Sequence, residues 1–367
     1  MKILYVTTIG KTMGFFKAFI KDLIDNGHTV DIATNESGSP VPECYREWGC
    51  SVYPISTSRS PLNKGNVMAI KQLKKLVEEN GYDIVHCHTP NAAVATRLAC
   101  RKLRKKRGLK VFYTAHGFHF YKGAPLLNWL VFYPVEKLCA HFTDVLITIN
   151  QEDYALAKKK MKAKRVEYVA GVGVDLSRFD NIEVDRAAKR REIGVPEDAF
   201  VLISVGELSE RKNQSVILEA LSMGIDENVH YVLVGSGLLM EQLKQFAKEH
   251  KMAERVHFLG YRKDVPELYK MADLCCFPSI HEGLPVALME AMASGLPVVC
   301  SSIRGNTDLI DEEGGILFDP HNVNEVYQAI ANVVAKDTSS MKNRNINCVK
   351  KYSKDEVILV MNSIYEG

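Results

Sequence analysis

Apolar positions along the chain fall into a repeating pattern. Short continuous runs of aliphatic and β-branched residues, KILYVTT, HTVDIAT, YDIVHCH, KVFYTAH and DVLITIN, are each followed by a longer stretch of helical period, beginning with a helix from about Gly14 to Asn26. Unbroken apolar strands of this length, separated by helices, predict a parallel sheet covered on both faces. From about Val169 to Glu197 the alternation breaks into a stretch rich in Gly, Asp and Arg, and it restarts with FVLISVGE, HYVLVGSG, RVHFLGY, LCCFPS, PVVCSS and GILFD. The pattern therefore predicts an α/β chain of two doubly wound, Rossmann-like domains facing a cleft. The first is expected over 1–180 and the second over 181–349, with a C-terminal helix at about 350–367 as a candidate to pack back on the first.

Composition narrows the partners. A chain of 367 residues that is 46% apolar has ample material for two cores. A net charge of +3 supplies no global attraction to nucleic acid, so none is expected as a partner. Nine cysteines, an odd number, lie scattered and partly inside apolar runs, which reads as reduced core thiols. The opening MKILYVTT is too short and too quickly polar for a signal peptide, and no run approaches the ~18 apolar residues of a membrane span. A cytoplasmic placement is expected.

In doubly wound sheets ligands bind beyond the carboxyl ends of the strands. The strand ends here are chemical: TTIGKTMG, HCHTP, TAHGFHF, VGELSERKN, VGSG, LGYRKD, PSIHEGLP and CSSIRGN. In IHEGLPVALMEAMASGLPVVC a helix opens beside Gly283 and Pro285, and its leading N–H groups form a cradle for an anion, with Glu282 at its mouth. Glu290 lies seven residues past Gly283, on the same face roughly 10 Å along the axis. One ligand with a phosphate near Gly283 and a ribose near Glu290 satisfies both positions, and that ligand is a nucleotide. Pairing of Glu290 with a buried Lys or Arg accounts for it equally. Arg211 and Lys212 at another strand end make a diphosphate clamp, and Gly235, Ser236 and Gly237 form a tight turn that lets backbone approach a ligand.

With EGLPVALME, AMASGLPVV, VGELSERKNQ, YVLVGSG, VHFLGY, YKMADLCCFPS and GVDLSRF in place, essentially the whole chain resembles the retaining glycosyltransferases of GT-B architecture numbered family 4. The stretch TAHGFHFYKGAPLLNWLVFYPVEK is similar to that of bacterial capsule and exopolysaccharide transferases. The resemblance implies that Glu282 contacts the donor sugar and that the N–H groups of Gly283, Leu284 and Val286 face the diphosphate. It further implies that Glu290 holds the ribose hydroxyls, that Lys212 with Arg211 neutralises the leaving diphosphate, and that Tyr261, Arg262 and Gly235 to Gly237 meet the base. His116 of TAHG matches the histidine near the reacting sugar, and Gly10 to Gly14 match a flexible glycine loop. Two departures stand out. Glu207 occupies a position where many members carry Arg, and Arg304, Asn306 and Asp308 fall where others have Gly-Gly and Glu; Arg304 is a candidate to restore the charge lost at Glu207.

The expected reaction is transfer of a sugar from a nucleotide sugar, a UDP-sugar, to a lipid-diphosphate-linked glycan of surface polysaccharide, with Lys212, Glu282 and His116 at the reacting centre. Alternatives are a UDP-sugar 2-epimerase-like enzyme and a nucleotide-sugar-binding protein without turnover; IGKTMG lacks the G-x-G-x-x-G of a dehydrogenase. His86 and His88, alternating on one strand, share a face that would suit a metal, but a third ligand and an Asp-x-Asp pair are both missing, so metal-independent activity is expected. Arg97, Arg101, Arg104 and Lys105 form one helical stripe close to the aromatic segment FHFYKGAPLLNWLVFYPVEK. Such a stripe is either a solvated face or, beside exposed aromatics, a contact with the inner leaflet of the membrane.

Overall fold

A computed structural model describes residues 1–180 and 182–367. Asn181, at which the sequence reading starts the second domain, lies outside the described residues. The chain divides into two compact units, Met1–Val172 with Val357–Gly367, and Gly173–Glu356.

The first unit carries a seven-stranded parallel sheet of β1 (Lys2–Val6), β2 (Thr29–Thr34), β3 (Val52–Pro54), β4 (Ile84–His88), β5 (Lys110–Ala115), β6 (Val145–Thr148) and β7 (Arg165–Tyr168), in the order β3-β2-β1-β4-β5-β6-β7. The second carries β8 (Phe200–Val205), β9 (Val229–Val234), β10 (Val256–Gly260), β11 (Leu274–Phe277), β12 (Val298–Ser301) and β13 (Gly315–Phe318), ordered β10-β9-β8-β11-β12-β13. The central strands are buried on both faces, which is why they read as unbroken apolar runs. The two edge strands β3 and β7 have no such run, since VYP and RVEY are only partly buried. Pro54 is tolerated because an edge strand leaves one row of N–H groups unpaired.

Helices cover both faces of the first sheet. On one face Leu73, Val77, Ala92 and Ala95 pack against Val85, Val111 and Leu146. On the other, Phe19, Ile20 and Leu23 are joined by Val357, Met361, Ile364 and Tyr365 of the last helix, Lys354–Glu366. The sheet of the second unit is covered by Val216, Ile217, Leu243, Val326 and Ile330, among others.

The division at Val172 and Gly173 falls before the boundary at 180 drawn from the sequence. Residues 174–178 belong with the second unit because their bonds lie there: Val174 N–H donates to Tyr352 O at 2.9 Å, Lys354 N–H to Val174 O at 3.0 Å, and Arg178 pairs with Glu290. Gly173 is confined to glycine by this lacing, since a Cβ on it would stand 2.8 Å from Lys354 Cα. The stretch Gly10–Phe16, expected as a flexible loop running into a helix from Gly14, is a 3-10 helix, and the α-helix begins only at Lys17. Gly10 is pinned there, because a Cβ would fall 2.1 Å from Ser39 O, whereas Gly14 faces open space.

Candidate active site

Each sheet reverses its strand order once, between β1 and β4 in the first unit and between β8 and β11 in the second. The crevice outside the carboxyl ends at such a reversal is the place where doubly wound sheets bind ligands. Three described non-glycine residues have positive φ, and two of them mark these two places: Thr89 (φ 64) follows β4, and Asn213 (φ 54) ends the loop after β8. A β-branched residue in that region is a costly conformer held by its surroundings. Thr89 is held by Thr8, whose N–H donates to its Oγ1 at 3.0 Å.

In the second unit the loops after β8 and β11 are tied together. Ile280 N–H donates to Arg211 O at 2.9 Å, and Asn213 Nδ2 donates to Pro278 O at 3.2 Å. This brings Lys212 Nζ to 2.7 Å from Glu282 Oε1 and Arg211 Nη1 to 2.9 Å from the same oxygen. Lys212 and Glu282 are both close to buried, and the ammonium also sits 4.7 Å from the centre of the Phe277 ring. Arg211 stays half-exposed. Arg304, buried, places Nη2 3.2 Å from Nε2 of His281, the neighbour of Glu282, while Glu207 is exposed. Arg211 and Lys212 thus share the Glu282 carboxylate, and Arg304 stands against its neighbour His281.

The helix expected after Gly283 spans Val286–Ala293 with Pro285 as its N-cap, and no side chain caps it. Its first N–H groups have no intrahelical acceptor. Gly283 and Leu284 are backed by Gly305, where a Cβ would fall 2.4 Å from Gly283 O. Glu290 is mostly buried and its Oε1 accepts from Arg178 Nη1 at 3.0 Å, so the ion pair weighed for this residue is formed, with a partner that is itself half-exposed. Burial raises the Glu290 carboxyl above its usual range, and the Arg178 charge acts against that rise.

The turn at Gly235 to Gly237 is required by packing between strand-end loops. A Cβ on Gly235 (φ 142) would fall 1.9 Å from Gly206 O, and one on Gly237 2.1 Å from Leu208 O. These glycines let one strand-end loop lie against the next, and Leu208 N–H donates to Ser236 O at 3.1 Å. Ser236 is exposed and Tyr261 projects into solvent at 77% exposure. Arg262 is ion-paired: its Nε donates to Asp264 at 2.7 Å, which lowers that carboxyl, and its Nη2 to Glu192 at 2.6 Å, whose carboxyl Lys189 and Arg262 together lower.

In the first unit His116 directly follows β5, with its Nε2 3.2 Å from Nδ1 of His88. His86 and His88 share a face as their alternation requires, with ring centres 4.1 Å apart, and Cys87 points to the opposite core. The sequence left unseen what surrounds them. His86 Nε2 lies 2.8 Å from Thr114 Oγ1 and Nδ1 2.5 Å from the hydroxyl of Tyr365, which in turn meets Tyr5 at 2.7 Å. Tyr365 lies 279 residues from His86 along the chain, and no local pattern announces the pair. Burial holds the imidazoles neutral, His86 at about 3 and His116 at about 4, with His88 well below its usual value. Nε2 of His88 is buried with no hydrogen-bond partner. Among the described residues no group of three or more His, Cys, Asp or Glu side chains is arranged to hold a metal ion.

The basic stripe dissolves in three dimensions. Arg97 is fully buried, forked onto Glu136 at 2.8 and 2.9 Å and stacked 4.2 Å over the Tyr113 ring, and Arg104 grips Asp144 at 2.6 and 2.7 Å. Only Arg101 and Lys105 of the four remain exposed. The aromatic segment also turns over. In the helix Leu126–Ala140, Trp129, Phe132 and Tyr133 pack inward, while Leu126, Leu127, Leu130 and Leu138 face outward at 56–72% exposure. Among the described residues no helix is long and apolar enough to cross a membrane.

Comparison with known proteins agrees with these two halves. Residues 15–178 match the family described as Glycosyltransferase Family 4, and residues 185–355 match Glycosyl transferases group 1. EpsD of Bacillus subtilis, named as a glycosyltransferase, is 39% identical over 72% of this chain and 71% of its own length. The UDP-Gal:alpha-D-GlcNAc-diphosphoundecaprenol alpha-1,3-galactosyltransferase of Escherichia coli is 30% identical over 79% of each chain. Anabaena Alr3699/HepE, solved in complex with UDP and glucose, superimposes with a TM-score of 0.79 at 20% identity, covering 100% of this chain and 99% of its own, which is a likeness of fold.

Proposed function

We infer the reaction from one premise: the chain belongs to the group 1 glycosyltransferases, and its two Rossmann-like units have their GT-B architecture. The proposed donor is a UDP-sugar, the proposed acceptor a lipid-diphosphate-linked glycan of surface polysaccharide, and the transfer retains configuration at the sugar carbon. One observation carries the reading: Lys212, Arg211 and Glu282 meet at the strand reversal of the second unit, beside the open start of the 286–293 helix.

Breaking a sugar–phosphate bond builds negative charge on the departing diphosphate and positive character on the sugar ring. Cations preorganised against the first are the main requirement, and a donor stabilises its own leaving group if its phosphates replace Glu282 as the partner of Lys212 and Arg211. Glu282, displaced from that pair, faces the sugar. The N–H groups of Gly283, Leu284 and Val286 take phosphate oxygens, and Glu290 exchanges Arg178 for ribose hydroxyls. The base lies by Gly235, Ser236, Gly237 and Tyr261, and Gly14 and His116 serve the sugar and acceptor side. The ion pairs are then placeholders that keep the charges paired until donor binds. The leaving phosphate can itself take the acceptor's proton, so no carboxylate dyad is needed.

A thermal-shift series with UDP, GDP and ADP tests the donor site. UDP is expected to raise the melting temperature of the wild type, and less so for Lys212→Ala and Glu290→Ala. In a coupled assay Lys212→Ala should slow acceptor-dependent UDP release about 10²- to 10³-fold, the usual effect of removing one charge-stabilising donor. Absence of a shift with any nucleotide would sink the reading. The outward leucines of the 126–140 helix, with exposed Lys122, Lys137 and Arg101 nearby in sequence, support attachment to an anionic membrane surface. Flotation with phosphatidylglycerol vesicles at low salt checks it, and a protein that stays at the bottom of the gradient contradicts it.

A further inference from the structure

The first unit contains a cavity of about 380 Å³ that the transfer chemistry does not use. Its walls are Ile70, Val94, Tyr113, Val131, Phe132 and Val135. Several polar side chains around it are engaged with the protein itself. Asn63 accepts from Gly65 N–H at 2.8 Å, Asn66 accepts from Ser58 N–H and donates to Ser60 O, both at 2.9 Å, and Asn91 donates to Ser58 O at 2.7 Å. Both oxygens of Glu136 are taken by Arg97, which neutralises the one charge in the floor. Walls this largely apolar suit hydrocarbon better than a sugar, whose hydroxyls need partners all round.

The cavity runs out onto an apolar surface. Val131 and Val135 line it and are also exposed, on the helix whose leucines face outward. Leu62 at 95% and Val67 at 62% exposure line it too, and Lys64, between them in sequence, supplies a cation. Branched apolar walls opening beside a lysine complement an amphiphile with a hydrocarbon chain and an anionic head.

We propose that this cavity holds the head-proximal segment of the isoprenoid chain of the lipid-diphosphate acceptor, so that the enzyme reads the tail as well as the glycan. The inference rests on the acceptor class proposed above. A branched isoprenoid chain with a diphosphate head matches the β-branched and aromatic walls and the cation of Lys64.

The test uses the intact protein and equilibrium dialysis of geranyl, farnesyl and geranylgeranyl diphosphate. Affinity is expected to rise about tenfold per added isoprene unit, below the limit for burying the whole unit. Val94→Trp, which fills the cavity, and Val67→Asp, which puts a carboxylate on its exposed rim without touching the core, should each flatten the series. A flat series in the wild type, or a steep one in both folded variants, overturns the proposal. So does displacement of geranylgeranyl diphosphate by an equal concentration of dioleoylphosphatidylglycerol, which would make the cavity a site for bulk membrane lipid. The UDP shift is measured alongside. If it persists while the series is flat, only the tail site fails; if the series holds and no nucleotide sugar is turned over on lipid-linked glycan, the failure lies in the proposed reaction.

Discussion

At the scale of single residues, the chain keeps its reactive groups paired or neutral until something displaces them. Lys212, Arg211 and Glu282 neutralise one another, and His86, His88 and His116 are held uncharged by burial. The histidines make acid the weak direction. In the unfolded chain each takes up a proton near pH ~6.5, while the folded cluster resists until about 4 for His116 and about 3 for His86. Stability is therefore fully present above pH ~6.5 and falls as the pH drops toward 4, by at most ~1.4 kcal/mol per pH unit for each histidine. Urea unfolding at neutral and mildly acidic pH should show this slope, and His88→Gln should reduce it. The sequence identified which residues carry charge at the strand ends, because strand ends are where a polar run cannot serve the core. It did not show their partners: Arg97 and Glu136 lie 39 residues apart, and nothing local distinguishes a buried arginine from its exposed neighbours Arg101 and Lys105.

At the scale of elements, periodicity revealed the central strands because burial on both faces leaves an unbroken apolar run, and it missed β3 and β7 because an edge needs none. The helix Leu126–Ala140 is the instructive case. Its composition was legible as aromatic and apolar, but its two faces were not, since both are hydrophobic and only packing decides that the aromatics go in and the leucines out. The Arg97–Glu136 fork fastens this helix to the helix Pro90–Cys100. Glu136→Ala leaves an uncompensated guanidinium in the core and is expected to cost about 3–5 kcal/mol of unfolding free energy, read by chemical denaturation. The double change Arg97→Met with Glu136→Leu should recover most of that loss, since the charge and its partner leave together.

At the scale of the whole molecule, each unit has its own sheet and its own core, but only the second is continuous in sequence. The first is completed by Val357, Met361, Ile364 and Tyr365, which close one face of its sheet and bring the Tyr365 hydroxyl to His86. Ending the chain at Glu356 should therefore abolish the cooperative melting of the first unit while the second still unfolds as a unit in scanning calorimetry. Two domains were legible from the break in alternation, but the true exchange points were not, because they are set by hydrogen bonds between segments near 174 and 353. The discontinuity also governs the order in which the protein is made. A ribosome delivers about 5–20 residues each second, so the 173–356 stretch alone delays the closing helix by roughly 10–40 s. For that interval the half synthesised first waits with Ile20, Phe112 and their neighbours uncovered on one face, and the half synthesised second is the first able to finish. A nascent chain in this state is a client for holding chaperones, and the segment 357–367 is the one whose arrival releases it.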